Sequence, residues 1–151
     1  MPNRPFHVVT STTAGAVYSW QRSGGQPDGA RALETLGGSI GGYLGGRAPD
    51  CLDPPCLGPR HRGHAHSITV AATLVGVGAA AIPEWQQHCR ARADGFAAKR
   101  AACTPGSGEA IWLAIAEAFW RMLAGLLAGF LAGYLMHLAT DACTPSSLGV
   151  I

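Results

Sequence analysis

Uncharged, small-apolar positions run from residue 7 to about 20 and give way to a polar, turn-rich stretch at 21–28, which predicts a first helix and a loop. Residues 30–46 carry paired glycines at every fourth position, Gly37 and Gly38, Gly41 and Gly42, Gly45 and Gly46, which on a helix line up along one face. Each such glycine costs a helix in water about 1 kcal/mol, whereas in lipid a small-xxx-small face lets a partner backbone approach closely. Pro49, Pro54, Pro55 and Pro59 predict a loop over 48–60. A third helix is expected to start near His66, run uncharged over 67–82 and stop at Pro83. Residues 84–100 mix Arg90, Arg92, Asp94, Lys99 and Arg100 with alanines and read as an exposed or interfacial connecting helix. After a break at 104–108, residues 111–140 are apolar apart from Glu117, Arg121 and His137 and are long enough to span a bilayer. They hold a second glycine series, Gly125, Gly129 and Gly133. The pattern predicts an all-α fold, a small membrane-embedded bundle of about four to five helices, with residues 1–151 forming a single domain.

Composition strengthens the membrane reading. Charged residues are 13% of the chain against 48% apolar, so there is little polar surface with which to solvate a globule. A net charge of +2, with no basic run longer than two residues, excludes nucleic acid as a primary partner. Membrane lipid is the expected partner, and the glycine faces offer a route to a homo-oligomer. No greasy signal core follows Arg4. The five cysteines form neither a disulfide framework nor a C-x-x-C metal ribbon. Cys51, Cys56 and Cys143 fall beside the polar motifs, where a bridge, a thiolate ligand or plain burial all stay open. Glu117 and Arg121, one turn apart, read as a compensated pair.

If the helices alternate in direction, and if the 84–100 segment does not itself reverse the chain, the chemistry converges. His7 lies at one end; Asp50 and Asp53 follow helix two, His61 and His66 precede helix three, and His137 and Asp141 close the last helix at that same end. Imidazole and carboxylate are the ligands of catalytic zinc, manganese and non-haem iron sites, which leave a position open for water. His137 and Asp141 share one helix face, four residues apart. The two glycine faces would run parallel and carry the acidic loop toward His137.

Three segments resemble the membrane-bound metal-dependent hydrolases, the YdjM-like inner-membrane proteins. They are Ala48-Pro49-Asp50-Cys51-Leu52-Asp53, then His61-Arg62-Gly63-His64-Ala65-His66-Ser67, then Gly133-Tyr134-Leu135-Met136-His137-Leu138-Ala139-Thr140-Asp141-Ala142-Cys143-Thr144-Pro145. Ala65 stands where the family has Thr, and His64 adds an imidazole. The resemblance implies a divalent metal, zinc first with manganese or iron as alternatives, held by Asp50, Asp53, His61, His66, His137 and Asp141, with His7 as a further candidate. It assigns Arg62 and Ser67 to substrate contact or ligand support. A more distant similarity to the zinc phospholipase C and P1 nuclease group implies attack on an ester, a phosphoester of a lipid or lipid-linked small molecule, at a multi-pass bacterial inner-membrane site whose side is left open. The alternatives are a non-catalytic metal-binding or ion-conducting membrane protein, or a purely structural helical one.

Overall fold

Every fourth residue of the first helix is buried, His7, Ser11, Gly15 and Ser19, and Ser23 continues the series. That stripe of small side chains is the surface on which the bundle is built. The computed structural model describes residues 4–52 and 64–142, and these are arranged as α1 (Arg4–Arg22), α2 (Asp28–Leu52), a 3-10 turn (His64–His66), α3 (Ile68–Ala101) and α4 (Gly108–Ala142). The described residues form an all-α fold of four α-helices.

The glycine pairs of α2 serve two neighbours. Gly37, Gly41 and Gly45 lie against the α4 backbone at Met122, Leu126 and Phe130, while Gly38, Gly42 and Gly46 lie against Ser19, Gly15 and Ser11 of α1. From the other side, Gly125, Gly129 and Gly133 of α4 meet the carbonyls of Glu34, Gly38 and Gly42. A Cβ at any of these three α4 positions would overlap backbone, so the helices approach as closely as they do only because both lack side chains there. Residue numbers rise together along the α2–α4 contact and oppositely along α1–α2, so α2 and α4 are parallel and α1 is antiparallel to both. The parallel glycine series expected from the sequence is present. Ser19 Oγ also donates to the Glu34 carbonyl at 2.8 Å, fastening α1 to α2.

Two proline expectations are corrected. Pro49 is buried inside α2, which continues to Leu52, so Asp50 is a helical residue and not part of a loop. Proline removes one N–H and crowds the preceding turn, but one turn before it stands Gly45, without a side chain. Pro83 likewise lies within α3, which runs for 34 residues from Ile68 to Ala101, so the 84–100 segment is the lower half of that helix and not a separate one. It therefore does not reverse the chain. Burial of Ile82, Gln86, Cys89 and Ala93 on both sides of the break holds this half in place. Further ties are Trp85 Nε1 donating to the Leu123 carbonyl at 2.7 Å and a bidentate pair from Arg90 Nε and Nη2 to Glu34 at 2.9 and 2.7 Å. Arg121 reaches Glu117 at 3.8 Å as expected, but its nearer partner is Asp94 at 2.6 Å.

Candidate metal centre

Three four-residue stripes end in the same place. On α4 the buried series Arg121, Gly125, Gly129, Gly133 continues into His137 and Asp141. On α2 the buried series Glu34, Gly38, Gly42, Gly46 continues into Asp50, and on α1 Gly15 and Ser11 lead back to His7. Helical register therefore places a ligand-type side chain one turn beyond the last small residue of each stripe. Between α2 and α3 the 3-10 turn adds His66, and the hydroxyl of Tyr134 donates to the carbonyl of Ala65 to hold that turn on α4.

The geometry at this end is close. His137 Nε2 stands 3.6 Å from Asp50 Oδ1 and 3.5 Å from Asp141 Oδ2. His66 Nε2 stands 3.6 Å from the same Asp50 oxygen and 3.7 Å from the same Asp141 oxygen, and His7 Nε2 is 3.7 Å from Asp141 Oδ1. His66 and His137 are 0% and 1% exposed. Two overlapping triplets, His7, His137 and Asp141, and Asp50, His66 and His137, each bring their ligand atoms within 4.8 Å of one another.

These separations exceed a direct N–H···O bond of about 2.9 Å. They approach the roughly 3.3 Å between two ligands of one tetrahedral ion with bonds of about 2.0 Å. Ring orientation agrees with that spacing. The Thr140 hydroxyl donates its proton to the His137 carbonyl at 2.7 Å and lies 2.7 Å from His7 Nδ1, so Nδ1 is the donor in that contact and Nε2 is the nitrogen turned toward Asp141. Neither nitrogen of the buried His137 ring has a hydrogen-bond partner among the described residues. An unmet buried polar atom costs about 1–3 kcal/mol, which a bound cation at Nε2 would offset. The donor set thus fits a divalent metal. Asp50, at the outer end of α2, is held below the usual carboxylate range, first by polar contact with His66, against the opposing effect of burial, and is ionised at neutral pH.

Of the residues singled out in the sequence, His7, Asp50, His66, His137 and Asp141 are brought together. Asp53, His61 and Arg62 lie outside the described residues, as do Cys56 and Cys143. Ser67 is the N-cap of α3, its oxygen accepting from the Val70 N–H at 3.2 Å, so it anchors the segment that carries His66. Cys51 is exposed on the last turn of α2 and is a free thiol. Tyr134 and Thr140 were not singled out. Their signal is their place three residues on either side of His137 on α4, which puts them on its face.

Fold and site together define an all-helical bundle with a histidine and carboxylate cluster of metal-binding type at one end. No family model, no curated protein and no solved structure matches this chain.

Proposed function

We propose that this protein is a metal-dependent hydrolase of the YdjM-like kind, embedded by several helices in a bacterial inner membrane and acting on an ester, in the first instance a phosphoester of a lipid or lipid-linked molecule. The observation that carries the reading is the convergence of His7, Asp50, His66, His137 and Asp141 from α1, α2, the 3-10 turn and α4. Those residues would hold one or two divalent ions, zinc or else manganese or iron, with His137 shared between the two triplets. A metal bound by such ligands supplies a water whose pKa is lowered toward 7, and hence a hydroxide nucleophile.

The chain's own groups divide the remaining work. Thr140 orients His7, Tyr134 and Ser67 orient the turn bearing His66, and burial of the three imidazoles excludes bulk water from their side of the site. Asp50, whose side chain is 29% exposed, is the carboxylate through which a substrate would approach. Among the described residues the ligand-type groups that come together all lie at one end of the bundle, which favours a reaction centre over an ion pathway. Arg62 is retained as a substrate contact on the strength of the sequence resemblance.

The test is elemental analysis of the detergent-purified protein beside His137→Ala and Asp50→Ala. Near-stoichiometric zinc in the wild type, lost in His137→Ala and at least tenfold weaker in Asp50→Ala, supports the reading, and hydrolysis of a bis(p-nitrophenyl) phosphate reporter should fall with it. A folded wild type that takes up neither zinc nor manganese rejects it.

A further inference from the structure

Beside the metal ligands, between the first turns of α1 and the last turns of α2, lies a pocket of about 370 Å³ that the candidate ligands only partly account for. His7 and Asp50 form its inner wall, Val8 and Tyr43 its apolar sides, and Arg47 lines it as well. Its volume is in the range of small-ligand sites. Arg47 is one turn before the site on α2, and its Nη1 donates to the Tyr43 hydroxyl at 2.7 Å, which fixes the guanidinium and leaves its other N–H groups to spend. Here a fixed planar cation shares one pocket with two candidate ligands. On the same two helices Phe6, Val9, Ile40 and Leu44 are large, apolar and exposed.

We propose that Arg47 is the substrate-recognition residue of this site and that the pocket takes the phosphate of a lipid, with the lipid's chains lying along the exposed apolar faces of α1 and α2. The inference rests on the hydrolase reading above and names the residue and the pocket that would recognise the lipid phosphate. A guanidinium fits two phosphate oxygens through parallel hydrogen bonds, a geometry a lysine ammonium does not reproduce. The carboxylates of Asp50 and Asp141 would repel an anion entering alone, so the fixed cation at the pocket supplies the compensating charge. The exposed apolar residues of α1 and α2 distinguish a lipid phosphate from the free anion, because only the former buries hydrocarbon against them.

The experiment uses the full-length protein in detergent and reads binding of dihexanoyl phosphatidic acid and of inorganic phosphate, with metal content and helicity measured on the same samples. Arg47 is exposed, so Arg47→Gln is expected to fold. It should keep its metal and bind the phosphatidic acid at least tenfold more weakly, with Arg47→Lys between it and the wild type. Inorganic phosphate should bind the wild type at least tenfold more weakly than the lipid does. Undiminished lipid binding by Arg47→Gln overturns the proposal, as does equal affinity for free phosphate. The two readings fail separately. A metal-loaded protein indifferent to Arg47 removes the recognition site and leaves the metal centre, and Arg47-dependent lipid binding in a protein without metal does the reverse.

Discussion

Glu34 is fully buried, and its partner is Arg90 on α3, bound through two nitrogens at 2.9 and 2.7 Å. Glu34 occupies the same α2 stripe as Asp50, at its opposite end, so one register carries a closed ion pair at one end and a metal-type carboxylate at the other. The difference lies in the partner. Arg90 brings its own charge and binds both carboxylate oxygens, whereas His66 and His137 stand 3.6 Å from Asp50. Removing one member of a buried pair leaves an uncompensated charge, so Arg90→Leu should destabilise the fold by about 3–5 kcal/mol, and Glu34→Gln added to it should recover most of that loss. Equilibrium unfolding in mixed micelles measures both variants, and a single-variant cost under about 1 kcal/mol would show that the pair is solvated. Neither partner could be matched to the other from the sequence. Arg90 was legible only as one of several charges on an interfacial segment, because a pair separated by 56 positions has no local signature.

At the scale of the helix, spacing carries the information. The glycines of α2 and α4 were legible because a four-residue repeat of the smallest side chain has no reason to persist except close packing. The α1 stripe was not, because Ser11, Ser19 and Ser23 do the same work as glycine while reading as ordinary polar residues. Gly129 and Gly95 form a contrasting pair. A Cβ on Gly129 would strike the Gly38 backbone, whereas one on Gly95 meets nothing within 4 Å. Gly129→Ala should therefore cost about 1–3 kcal/mol, since backbone cannot rotate aside, and should weaken zinc binding by displacing His137 relative to Asp50. Gly95→Ala, in an exposed stretch of α3, should stabilise by up to about 1 kcal/mol and leave zinc unchanged. Thermal unfolding with zinc titration reads both, and equal behaviour of the two variants would contradict the packing assigned to the glycines. The prolines misled for a related reason: Pro83 weakens a helix locally, but residues buried on either side of it restore the helix through tertiary contacts.

Across the whole molecule, two helices are long and apolar enough to cross a membrane, and they differ in what surrounds them. The apolar window of α4 is 44% buried by its neighbours, while that of α3 is 6% buried, with Val75 and Val77 turned outward at 45% and 60% exposure. Water would penalise such a face over its whole length; lipid would not. Vertical order agrees, since the uncharged upper half of α3 lies between the histidine cluster and the layer of Arg22, Arg90, Asp94 and Arg121. The protein is expected to stay with membranes through alkaline carbonate extraction. Val77→Lys should reduce the inserted fraction by an amount equivalent to about 2.5–3.5 kcal/mol if Val77 faces lipid, against at most about 0.5 kcal/mol at a water-facing site. Release of the wild type into the supernatant would sink the membrane reading.

The sequence by itself determined that the chain is helical, which faces of two helices were small, and that imidazoles and carboxylates follow the glycine-bearing segments. These are local properties, fixed by spacing along one helix and by the chemistry of single side chains. Only the tertiary structure decided that the three stripes run side by side in register, that α3 passes unbroken through Pro83, that Tyr134 holds the turn bearing His66 on α4, and that Thr140 meets the His7 ring. Those outcomes depend on backbones meeting at van der Waals distance, and a glycine repeat announces a close approach without saying which neighbour will make it.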